Sequence, residues 1–107
     1  MKKLKFSNGL LELVLSGKKT TTWRIGDDKN LSVGDEISCC KVDGVEFTKA
    51  RITSVRETTF KELTEKDKEG HESFESDEEM YKTFSDYYNM KVTPKTRLKV
   101  VKFELIE

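Results

Sequence analysis

Histidine, proline and cysteine are scarce in this chain, and long apolar runs are missing. Its 107 residues include one histidine, one proline, two cysteines and one tryptophan. A lone histidine and two cysteines supply no ligand cluster for a metal centre, so metal-assisted hydrolysis and ribonuclease chemistry have little support. Cys39 and Cys40 are adjacent, and a strand would send their side chains to opposite faces. A bridge between them or a shared metal is then not the natural reading, and they read as small buried hydrophobes in a reducing compartment. No segment approaches the length of a membrane span, and Met1–Phe6 lacks an apolar core of the signal-peptide kind. The expectation is a cytoplasmic protein with no membrane partner.

Net charge is missing too, with 20 basic and 20 acidic side chains. The chain as a whole is therefore no polycation, and no duplex DNA partner is expected. The charge is unevenly placed, however. Residues 57–79 hold ten acidic side chains against three lysines, a net of −7 that the rest of the chain balances with +7. Such a wall opposes a long phosphate footprint and leaves room for a small ligand or a short single strand.

At this length one domain with one core is expected over residues 1–107. Leu10, Leu11, Val14 and Leu15 recur at helical spacing over residues 8–16, with Ser7 or Asn8 as cap and Gly17 as the left-handed stop. A strand follows from Thr20 to Ile25, then a polar loop over 26–30 and a second strand from Glu36 to Val42. Asp43-Gly44 signals a two-residue hairpin into a third strand from Val45 to Arg56. Its apolar parity changes, which asks for a bulge near Thr48-Lys49. Thr59 with Glu62, and Thr64 in a turn closed by Gly70, mark short helical turns. Ser76 with Glu79 opens a longer helix whose Met80, Phe84, Tyr87 and Tyr88 share a core face. The last strand runs from Thr96 to Ile106, with a second bulge near Val100-Val101. These elements describe an α+β fold: a small, strongly curved sheet or barrel of about five strands with two to three short helices.

The residues richest in chemistry are Gly17-Lys18-Lys19-Thr20-Thr21-Thr22-Trp23-Arg24. Strand alternation puts Thr20, Thr22 and Arg24 on one face and Thr21, Trp23 and Ile25 on the other, core-facing one. An ammonium, a hydroxyl and a guanidinium thus meet beside the helix stop, a set suited to an anionic or carbonyl-bearing ligand. On composition alone, the lysines also read as solvated charges favoured by a helix C-terminus, and the threonine run as ordinary strand sequence. His71 reads as a surface loop histidine, with substrate contact as the alternative.

Gly17-x-Lys19-x-x-x-x-Arg24, followed by Leu31-Ser32-Val33-Gly34-Asp35 and by Gly70-His71-Glu72-Ser73-Phe74-Glu75-Ser76, resembles the ASCH domain. The resemblance implies a PUA-like β-barrel and a link to RNA. Within that family the chain is most similar to small bacterial amidohydrolases that deacylate N(4)-acetylcytidine. Lys19, Thr22 and Arg24 match their pattern in order and spacing, and Glu72 fits the distant glutamate, with Glu69 as the fallback. The resemblance implies a metal-independent mechanism without cofactor. Thr22 would be the nucleophile, a partly exposed Lys19 its base and Glu72 the proton carrier, with Arg24 or the Gly17–Lys19 amides holding the oxyanion. The alternative is a non-catalytic module for a nucleoside or short single-stranded RNA, in which Lys18, Lys19 and Arg24 meet phosphate and Trp23 or a tyrosine stacks a base.

Overall fold

The computed structural model describes residues 1–27 and 29–106. Five strands form one curled sheet in the order β1-β3-β4-β5-β2: β1 Lys2–Lys5, β2 Thr21–Arg24, β3 Glu36–Cys40, β4 Glu46–Thr59 and β5 Arg97–Ile106. Three helices accompany it, α1 Leu11–Leu15, α2 Glu65–Lys68 and α3 Asp77–Tyr88, with 3-10 turns at Asn8–Leu10 and Phe60–Glu62. The result is the α+β half-barrel that the sequence implied. Among the described residues no helix is long and apolar enough to cross a membrane.

Strand β1 was not expected, because Lys2, Lys3 and Lys5 hide it in charge. It pairs in parallel with β3, and only Leu4 turns fully inward. The β3–β4 hairpin also differs from expectation. Its loop has three residues, closed by Lys41 N–H to the Val45 carbonyl and by Gly44 at φ +90°. A type I turn followed by a left-handed residue gives that shape, where a two-residue loop needs both residues left-handed.

One expected bulge is found and the other lies elsewhere. The β3–β4 register skips Phe47, close to the expected Thr48-Lys49. The second irregularity lies on β4 at Thr53, between Ile52 and Ser54, while β5 runs unbroken against β2. The parity change at Val100-Val101 has another cause: β5 is buried on both faces. Val101 and Phe103 join Leu4, Phe6, Val14, Ile37 and Ile52 in the core inside the curled sheet. Leu98 and Val100 face a second core of Trp23, Phe60, Met80 and Phe84 beneath α3.

Caps follow the sequence in part. Thr64 and Asp67 form a full capping box on α2. Ser76 accepts the Glu79 N–H, but the Glu79 carboxylate takes the Glu75 N–H rather than that of Ser76. Thr59 ends β4 and donates to the Glu62 carboxylate at 3.0 Å, with no bond to backbone. Tyr87, expected in the core, is 58% exposed. Cys39 and Cys40 are free and buried, and burial pushes the Cys39 thiol up to about 12, so it is inert.

Candidate functional site

Helix α1 stops at Gly17, whose φ of +79° turns the chain back toward the sheet. The Gly17 and Lys19 amides donate to the Val14 and Leu13 carbonyls, so they are spent on closing the helix and are not free for an oxyanion. Lys18 lies exposed, outside the cavity described below. Lys19 turns inward and is 3% exposed, against the partly exposed side chain expected. Its Nζ donates to the Thr21 carbonyl and to Glu72 Oε2, each at 2.7 Å.

Strand β2 then sets the alternating faces. Thr22 is buried, and its Oγ1 accepts from Arg24 Nε at 3.0 Å. The Arg24 guanidinium lies 5.0 Å over the Phe6 ring and donates to the Lys5 carbonyl. On the other face Trp23 packs into the second core and donates Nε1–H to the Asp67 carbonyl.

The segment after α2 is stitched onto β2 through its backbone. The Gly70 carbonyl accepts from Thr20 and Thr21, and the Glu69 carbonyl from the Thr21 hydroxyl. Lys102 Nζ adds bonds to the Lys66 and Glu69 carbonyls. This fixes which glutamate reaches the lysine: Glu69 is exposed and engages through its main chain, whereas Glu72 points its carboxylate at Lys19.

His71 is not a surface loop residue. Its side chain is 2% exposed and stacks on Trp23, with centroids 3.8 Å apart and planes 14° apart. Nδ1 lies 2.9 Å from the Glu72 carbonyl. A carbonyl only accepts, so Nδ1 carries the proton. The acidic neighbourhood in sequence suggested solvent, and stacking on Trp23 overrode it. The same stack occupies one face of Trp23, which limits the indole as a platform for a base.

Lys19, Thr22, Trp23, Arg24, His71 and Glu72 line one cavity of about 260 Å³, together with Phe6, Phe84, Tyr87, Tyr88 and four residues of β1 and the adjoining loops and turn, Lys5, Ser7, Leu10 and Val42. Burial lowers the Lys19 pKa, opposed by Glu72 and aided by Arg24. Burial and the positive charges of Lys19 and Arg24 push His71 down to about 4, so it is neutral near pH 7. Burial alone would raise the Glu72 carboxyl, but His71 and Lys19 hold it below the usual carboxylate range. The cavity thus combines a buried ion pair, a neutral imidazole and a hydroxyl held by a guanidinium. Among the described residues no group of three His, Cys, Asp or Glu side chains is arranged to hold a metal.

Sequence reasoning missed Phe6, Tyr87 and the Lys102 tether as parts of this site. Phe6 had no periodic signal, and Tyr87 was absorbed into the core stripe of α3. Nothing in the local sequence of Lys102 marks a contact with a segment more than thirty residues away.

Over residues 1–107 the sequence matches the model of the ASCH domain. Among curated proteins it has no significant match. It is similar to the crystal structure of the hypothetical protein PH0355, at 27% identity and a TM-score of 0.75, covering 99% of this chain and 100% of that one. A Pyrococcus furiosus protein solved by NMR is 26% identical with a TM-score of 0.67, over 99% of this chain and 97% of that one. The ASCH domain of Lactobacillus crispatus shares the fold at 17% identity and a TM-score of 0.69, over 92% and 70% of the two chains. With the match spanning its whole length, the chain belongs to the ASCH domain family, and its curled five-stranded sheet is a PUA-like fold.

Proposed function

We propose that the cavity binds an N(4)-acylated cytidine and hydrolyses its exocyclic amide. The observation that carries this reading is the buried Lys19–Glu72 pair in one cavity with Thr22, whose hydroxyl oxygen Arg24 holds. A volume of about 260 Å³ suits a base or nucleoside better than an oligonucleotide.

The 2.7 Å contact between Lys19 and Glu72 allows a proton to pass from ammonium to carboxylate without leaving the site. Substrate entry removes water and favours that neutral pair. Lys19 rotates from the Thr21 carbonyl to the Thr22 hydroxyl and takes its proton as Oγ1 bonds to the acyl carbon. The Arg24 guanidinium stabilises the oxyanion. The C–N bond then breaks as Glu72 gives its proton to the departing nitrogen, leaving cytidine and an acyl-threonine. Water attacks that ester, Glu72 accepts its proton, and Lys19 returns a proton to the Thr22 oxygen. The acid leaves, and the pair relaxes to its starting charges.

Mass spectrometry of the parent protein, acid-quenched during turnover of N(4)-acetylcytidine, tests the covalent step beside a Thr22→Val variant. One added acetyl group on Thr22 of the parent is expected, and a Thr22→Val variant that releases cytidine as fast as the parent contradicts it. The alternative is a non-catalytic RNA-binding module, for which the family itself speaks. The net −7 of residues 57–79 weighs against it. A steep loss of oligonucleotide affinity with salt would favour that alternative.

A further inference from the structure

A second cavity, of about 550 Å³, adjoins the first and shares Lys5, Arg24 and Tyr88 with it. Among the described residues Lys3, Lys5, Arg24 and Lys29 line it against one carboxylate, Asp27. That carboxylate is already engaged: Lys99 Nζ donates to it at 2.6 Å, and the Lys29 and Leu31 amides at 2.9 Å. Arg24 has no carboxylate partner among the described residues. Its guanidinium donates to the Thr22 hydroxyl and the Lys5 carbonyl, which leaves N–H donors uncommitted. Glu72 and Asp27 act on the half-buried guanidinium only at a distance, so a bound anion offsets a burial cost that no direct ion pair relieves. Lys3 and Lys5 project from the same face of β1, both exposed.

A third cleft, which shares Trp23, His71 and Glu72 with the first cavity and no residue with the second, is acidic. Glu65, Glu72, Glu75 and Asp77 line it. A polyanion extending that way meets carboxylates, so the complementary ligand has one anionic end and one neutral end.

We propose that the second cavity is a phosphate subsite, and that the ligand is a nucleoside monophosphate. Its base lies in the Lys19–Thr22–Glu72 cavity, and its phosphate meets Arg24, Lys3 and Lys5. The position of the base rests on the nucleoside reading above, whereas the phosphate subsite rests on the cations alone. Charge-assisted bonds from a guanidinium and two ammonium groups favour phosphate over the hydroxyl of a free nucleoside.

Calorimetric titration of the full chain with cytidine, its 5′- and 3′-monophosphates and ribose 5-phosphate tests this, beside a Lys3→Glu variant. One monophosphate is expected to bind about tenfold tighter than cytidine at low salt, an advantage that shrinks as salt rises. The Lys3→Glu variant loses that advantage and keeps its cytidine affinity. Cytidine binding as tightly as both monophosphates overturns the subsite and leaves the nucleoside reading standing. Ribose 5-phosphate bound by the parent, lost in the variant and unaccompanied by cytidine binding keeps the subsite and removes the nucleoside reading. No binding of any phosphorylated ligand overturns the subsite outright.

Discussion

Lys19 serves the core and the cavity together, which changes what its removal should do. The sequence suggested a side chain partly in solvent, whose loss the fold would ignore. At 3% exposure, with two acceptors at 2.7 Å, it is a structural partner as well. Lys19→Ala is expected to abolish turnover and also to lower stability by about 1–3 kcal/mol, read by urea unfolding. His71 yields a second prediction. In the unfolded chain it takes a proton near pH 6.5, whereas the folded protein resists this down to about 4. The unfolded state then binds more protons in that window. Stability is full above pH 6.5 and falls as pH drops toward 4. The depressed Glu72 carboxyl acts in the same direction below its ordinary range. NMR titration of the His71 ring checks this, and a midpoint near 6.5 in the folded protein would contradict it. Thr22 and Arg24 were legible together because a two-residue period puts them on one face of β2, while Lys19, just before the strand, joined them through the family pattern. The burial of His71 was not, because only the fold brings Trp23 to it.

Elements were legible where they obey one period and illegible where two surfaces compete. Helix α3 announced itself through Ser76 and a stripe of Met80 and Phe84. Strand β5 misled because its Leu98/Val100 and Val101/Phe103 pairs face different cores, and parity alone turns that into a bulge. Strand β1 carried too few apolar residues to register at all. The segment from α2 to Glu72 depends on long-range bonds that no local pattern encodes. Gly70 sits there at φ +74°, where an added Cβ would overlap the Thr20 hydroxyl. Gly70→Ala is expected to cost about 2 kcal/mol or more and to reduce activity by shifting Glu72, measured by thermal unfolding beside turnover. Lys102→Met removes a tether while keeping an apolar stem. Hydrogen exchange should then rise over residues 65–72 and stay unchanged in the centre of β4. Uniform exchange across both regions would show that the tether does not position the segment.

On the scale of the molecule, the cavity draws its charged groups from two parts of the chain with opposite net charge. The acidic stretch of 57–79 supplies Glu72, and the basic remainder supplies Lys19 and Arg24. This division was visible in the sequence as a net of −7 against +7, although its two parts meet at the cavity only because the 65–72 segment folds onto β2. The radius of gyration of 13.2 Å is that expected of a compact domain of about 100 residues, so the cavity lies between two small cores rather than at a domain boundary. The central claim is that this cavity hydrolyses an acylated cytidine. Chromatography of N(4)-acetylcytidine after incubation with the parent protein and with folded Lys19→Ala tests it most directly. Cytidine released by the parent alone is the predicted result. A folded parent that releases no cytidine, or a variant that matches it, would contradict the account.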